Sequence, residues 1–88
     1  MDRINSVSAK TVPMLAFNVI SANQDAPPAS QIVALAVAFQ AVCDALGLSP
    51  VQLLEKAGRL ITDAERLRYD ASIPAIKQYA QAEMKGRL

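Results

Sequence analysis

The sequence predicts an all-α fold, a three-helix core with an N-terminal arm or short extra segment. Three observations carry this. Apolar residues recur at helical spacing over about 30–46, 50–70 and 73–85. Each stretch opens on or beside a proline, at Pro28, Pro50 and Pro74, the residue best tolerated in a first helical turn. Gly47 stands just past the end of the first stretch, where a left-handed residue is wanted.

Residues 1–10 are mixed and polar and read as a mobile arm. Thr11 to Ala22 supports two conformations. Pro13 can open a short helix with Leu15, Val19 and Ile20 on one side, yet Val12, Phe17, Val19 and Ile20 are also good strand formers; the helix is favoured. Ser21 to Ser30, with Asn23, Asp25 and the Pro27-Pro28 pair, is a loop. The sequence thus divides into an arm with a short apolar segment, 1–27, and a helical domain, 28–88.

The first long helix should start between Pro28 and Gln31, with Ser30 as an acceptable cap, and run to Leu46. Gly47-Leu48 leaves room for only a tight connection. Ser49 then caps the second helix, Pro50 takes its first position, Gln52 completes a Ser-x-x-Gln capping box, and Leu48 and Leu53 are placed for a hydrophobic staple. That helix runs towards Tyr69, because Leu53, Leu54, Ala57, Leu60, Ile61, Ala64 and Leu67 keep one apolar stripe in register across Gly58. Opposite them, Glu55 with Arg59 and Arg66 with Asp70 are four apart and can pair. Ser72-Ile73-Pro74 starts a third helix reaching Met84, its inner side formed by Ile73, Ile76, Tyr79, Ala80 and Met84.

Missing residues narrow the chemistry. The 88-residue chain has no His, so neither Ser-His-acid nor Cys-His catalysis can be assembled within it. A zinc site needs three or four Cys or His ligands and only Cys43 is present. The isolated Gly47, Gly58 and Gly86 cannot form a phosphate-binding loop. No enzyme activity, cofactor or metal is therefore expected. Cys43, among Ala41, Val42, Ala45 and Leu46, reads as a buried structural thiol. One cysteine forms no intrachain disulfide, in keeping with a reducing cytoplasm. The longest apolar stretch, Ile32 to Leu46, is interrupted by Gln40 and Asp44 and is shorter than the roughly 20 residues of a membrane-spanning helix. The start of the chain lacks the basic-then-apolar pattern of a secretory signal. The expected location is the cytoplasm, with no membrane partner.

The first long helix is the most informative element. Advancing 100° per residue, one face holds Ile32, Leu35, Phe39, Val42 and Leu46, expected to be core; a second holds Ala34, Ala38, Ala41 and Ala45; a third carries Val33, Val37, Gln40 and Asp44. A helix apolar on nearly every side is normally central, and a chain of 88 residues struggles to cover one. The four alanines, which would let another backbone approach closely, are therefore the candidate interface for a second copy or a protein partner. The competing expectation is that residues 11–22 fold back and bury them.

The run Leu46-Gly47-Leu48-Ser49-Pro50-Val51-Gln52-Leu53-Leu54-Glu55-Lys56-Ala57-Gly58 resembles the first two helices of repressor-like helix-turn-helix domains. That resemblance implies a recognition helix after Gly58, with Arg59, Thr62, Arg66 and Arg68 as DNA contacts. The apolar stripe continues through Gly58, and the net charge of +1 supplies no excess for phosphates, so nucleic acid ranks below a protein partner. Arg59, Arg66 and Arg68 are also the local supply of cations for a small anionic ligand. More broadly, residues 31–84, with Ala-Phe-Gln-Ala-Val-Cys-Asp-Ala-Leu-Gly-Leu-Ser-Pro, Leu-Leu-Glu-Lys-Ala and Ile-Lys-Gln-Tyr-Ala-Gln-Ala-Glu-Met, resemble short helical accessory proteins of tailed bacteriophages. The resemblance implies a non-catalytic protein that acts by binding and modifying a larger complex. Together these features lead to the expectation of an oligomeric interaction protein, with a helix-turn-helix regulator and an oligomeric sponge for a small anion as the alternatives.

Overall fold

The computed structural model describes residues 4, 6–68 and 71–88; within them the chain is all-α, with four α-helices and no strand. Helix α1, Val12–Ala22, resolves the helix-or-strand ambiguity of that segment. Its start is set by backbone: the Ser8 carbonyl accepts the N–H groups of both Thr11 and Val12, and Pro13 is buried in the first turn. Asn23 ends it, its side-chain amide donating to the Val19 carbonyl at 3.4 Å.

Helix α2, Pro28–Leu46, begins at the early edge of the expected range. Ser30 is not its cap. Pro27 occupies that position with no side-chain hydrogen bond, and its carbonyl accepts the Gln31 N–H at 3.0 Å, which leaves Ser30 inside the first turn. At the other end Gly47 adopts φ +68°, and the Leu48 N–H closes back on the Cys43 carbonyl at 3.0 Å. Two residues later the next helix starts, with Ser49 Oγ accepting the Gln52 N–H at 3.3 Å and Leu48 and Leu53 both half-buried beside it.

Helix α3, Pro50–Leu67, passes through Gly58 without a break. It stops sooner than its stripe suggested: Arg68 turns left-handed at φ 53° while its N–H still reaches the Ala64 carbonyl at 2.9 Å. Tyr69 and Asp70, and with them the expected Arg66–Asp70 pair, lie outside the described residues. Arg66 meets Asp63 instead, at 3.7 Å, and Glu55 and Arg59 form no ion pair among the described residues. Helix α4, Ser72–Tyr79, does not continue as α-helix to Met84. The ladder widens to a π turn over Ala80–Met84, where the Lys85 N–H bonds the Ala80 carbonyl, and tightens to 3-10 over Lys85–Arg87. The expected inner side survives the change, with Ile73 and Met84 buried and Ile76, Tyr79 and Ala80 half-buried.

Helix α1 packs along α4, and α3 meets both of them. Lys77 Nζ and Glu65 Oε2 bridge α4 and α3 at 2.9 Å on the surface, a contact worth under about 1 kcal/mol. Helix α2 meets α3 next to the Gly47 turn and otherwise stands largely clear. Among the described residues the buried apolar positions are few: Pro13, Pro28, Cys43, Ala64, Ile73 and Met84.

This overturns the assignment of the large-residue face of α2 to the core. Ile32, Leu35, Val42 and Leu46 are exposed, Leu46 at 66%, and only Phe39 is half-buried. The reason is geometric. Along α2 only Pro28, Gln31 and Cys43 are buried, with Phe39 half-buried between them, and the α1–α3–α4 unit leaves the rest of the helix uncovered. The accessible surface, 6475 Å², exceeds by about 1,500 Å² what a compact chain of 9.4 kDa presents. The 13.6 Å radius of gyration is likewise above the roughly 12 Å of a compact 88-residue domain. The arm is not wholly free either: Ser8 Oγ accepts the Lys10 N–H at 2.9 Å, and Val7 and Ala9 lie against α3.

Two glycines separate backbone strain from side-chain space. Neither Gly47 nor Gly58 has anything within 4 Å of an added Cβ, but only Gly47 has a positive φ. Gly47→Ala should destabilise by about 1 kcal/mol and Gly58→Ala should stabilise by about 0.5–1 kcal/mol, read as opposite shifts in the urea midpoint.

Candidate interaction surfaces

The side chain that fixes α2 to the rest of the chain is Gln31. It is 6% exposed and makes three hydrogen bonds: its amide nitrogen donates to the Ala26 carbonyl at 2.7 Å and the Gln24 carbonyl at 3.4 Å, and its oxygen accepts from the Tyr79 hydroxyl at 3.1 Å. A buried amide is tolerable only when both ends are satisfied, and here both are. The loop between α1 and α2, the start of α2, and the end of α4 are thus joined at one point. The periodicity of the sequence gave no sign of this role, because Gln31 sits at an apolar-face angle and resembles a first-turn polar residue.

Beside that node opens an apolar groove of about 390 Å³, walled by Ile20 of α1, Ile32 and Leu35 of α2, Ile76 of α4, Met84 of the π turn and Leu88. It lies where the first half of α2 stands away from α4. The node, Gln81 and Lys85 are its polar members. Further along α2, Phe39, Val42 and Leu46 continue the same face.

On the far side of α2, Ala34, Ala38, Ala41 and Ala45 are all exposed. Residues 11–22 do not cover them, since α1 is committed to α4. Cys43, in contrast, is 1% exposed, as expected of a structural thiol.

The cationic candidates divide. Arg59 and Arg66 share a shallow hollow of about 350 Å³ on α3 with Lys56, Asp63, Val7 and Ala9. Lys56, Arg59, Asp63 and Arg66 are spaced three, four, three and so line one face, a spacing legible in the sequence that would have added Lys56. Asp63 sits among the three cations and takes up part of their charge. Arg68 is not brought to them; it lies at another hollow with Ala64, Glu65, Ala71 and Pro74. Thr62 is on the unbroken helix, its hydroxyl donating to the Gly58 carbonyl at 3.0 Å, so Arg59, Thr62 and Arg66 continue the helix that begins at Pro50 and do not start a new one.

Helix α2, 19 residues long, also has the length and composition to cross a bilayer, with mean hydropathy 1.6 over an 18-residue window of which 11% is buried. Among the described residues no group of three or more His, Cys, Asp or Glu is placed to hold a metal ion. Comparison with protein-family models, with curated proteins and with solved structures finds no match.

Removing the Gln31 node tests its part in holding the groove. Gln31→Ala orphans the Tyr79 hydroxyl and two loop carbonyls and should cost about 1–3 kcal/mol. Tyr79→Phe, which removes one of the three bonds, should cost less; equal losses in chemical denaturation would contradict the shared node.

Proposed function

We propose that the chain is a non-catalytic interaction protein that self-associates and binds a larger protein complex, in the manner of the phage accessory proteins it resembles. One observation carries this: a 19-residue helix, apolar on nearly every side, whose faces the rest of the chain leaves open. Contiguous exposed apolar surface on this scale marks an interaction site. Residues 28–88 act as the helical domain and residues 1–27 as an arm that carries α1 back onto it. The alanine face, which lets a partner helix approach closely, is the contact with the larger complex.

Several features favour a protein over other partners. A net charge of +1, with Asp63 among Lys56, Arg59 and Arg66, supplies little attraction for a phosphate backbone. The exposed Gln40–Asp44 pair, hydrogen-bonded at 2.7 Å on α2, suits a helix flanked by water or by a protein surface better than one in lipid. The cytoplasm is accordingly the proposed location.

Affinity capture from the native cytoplasm with matched variants tests the assignment. A bound protein should persist with Arg59→Ala and Arg66→Ala and be lost with Ala38→Leu, which obstructs close backbone approach. Binding that disappears with the arginine variants, and falls steeply as salt rises, would instead identify a nucleic-acid or anion surface.

A further inference from the structure

We propose that the apolar groove is filled by α2 of a second copy of this chain, lying antiparallel along its own α2 and contributing Phe39 and Val42. This rests on the self-association proposed above and assigns it a surface, the large-residue face as distinct from the alanine face. The residues Ile32, Leu35, Phe39, Val42 and Leu46 are spaced three, four, three, four, the a/d spacing of a coiled-coil seam. In the single chain that seam is mostly exposed.

The register follows from helix length. If two antiparallel copies of Pro28–Leu46 overlap end to end, residue 28 faces residue 46 of the other copy. Ile32 then faces Val42, and Leu35 faces Phe39, each pair occurring twice about a twofold axis. Full overlap and a-against-d layering coincide in this register. Ile32 and Leu35 are also the α2 wall of the groove, with Ile76 and Met84 opposite them. The second half of the seam on each copy is therefore delivered to the groove beside the first half on the other. Groove and filler belong to one sequence, as an isologous contact requires.

The quantities and charges agree with a second copy as occupant. The chain presents about 1,500 Å² more surface than a compact chain of its mass, and Ile32, Leu35, Val42 and Leu46 of the seam are among its exposed large apolar side chains, so pairing two seams removes part of that excess from water. The single charge within α2, Asp44, lies roughly 160° around the helix from the centre of the seam, so nothing on the seam offers a charged residue for a heterologous partner to recognise. An antiparallel pair also sets the helix dipoles in opposition, which a parallel pair does not.

The test combines light-scattering mass with cysteine cross-linking of the full chain. Wild type should run as a dimer, and Val42→Glu as a monomer that keeps its helical circular dichroism. The double variant Ile32→Cys with Val42→Cys should form intermolecular disulfides on mild oxidation; Val42→Cys alone should not, because in this register those two thiols are about 15 Å apart along the axis. A dimer that survives Val42→Glu but dissociates with Ala38→Leu, or cross-links through Val42→Cys alone, overturns this surface and register while leaving self-association intact. A monomeric wild type overturns self-association as well, and its co-flotation with phosphatidylglycerol–phosphatidylcholine vesicles would place a bilayer on the seam.

Discussion

The constraint that governs this molecule is a mismatch between one helix and the chain available to cover it. Helix α2 is apolar on nearly every side, and the other helices leave most of it uncovered while exposing apolar residues of their own, such as Leu15 and Val19 of α1 and Leu54 and Leu67 of α3. An 88-residue chain has a high ratio of surface to volume, and a helix that needs neighbours all round cannot find them within it. What results is a small packed unit of α1, α3 and α4, with α2 held against it at two points. The shortness of the buried set among the described residues, Pro13, Pro28, Gln31, Cys43, Ala64, Ile73 and Met84, accords with that arrangement.

The two points of attachment differ in kind. At the C-terminal end of α2 the chain itself makes the joint: Gly47 turns left-handed, Leu48 closes the helix, and Ser49 opens the next within two residues, so α2 and α3 are tied by covalent geometry. At the N-terminal end the joint is polar and long-range, the Gln31 amide bonded to Tyr79 across 48 residues of sequence. A hydrogen-bonded amide specifies a position more narrowly than apolar contact does, because its partners must lie within bonding distance and direction. Between the joints, α2 stands off from α4 and the groove opens. The π turn at Ala80–Met84 belongs to the same design, turning Met84 inward at the groove while Lys85 stays at its rim.

Much of this was legible in the sequence because it is local. The Gly47-Leu48-Ser49-Pro50 joint, the continuity of α3 through Gly58, the inner side of α4 and the burial of Cys43 all depend on residues a few positions apart. The termination of α3 at Leu67, the widening at Ala80 and the Gln31–Tyr79 bond were not legible, since each depends on how distant elements meet. The candidate surfaces were legible in part. The faces of α2 follow from 100° steps, but which of them the chain covers is a tertiary property, and the large face was assigned to a core that this chain does not supply. Among the cations, Arg59 and Arg66 share a face by spacing, whereas Arg68, about 200° around the helix from Arg66, falls on the opposite side by the same 100° steps.

If α2 is completed by a second copy, association stabilises the folded chain, and the stability of the fold must depend on how much protein is present. Thermal unfolding followed by circular dichroism across a hundredfold range of concentration measures this directly. The account predicts a Tm that rises steadily with concentration. A Tm independent of concentration, with a cooperative transition at the lowest concentration, would contradict it and show that the single chain is stable with its apolar helix uncovered.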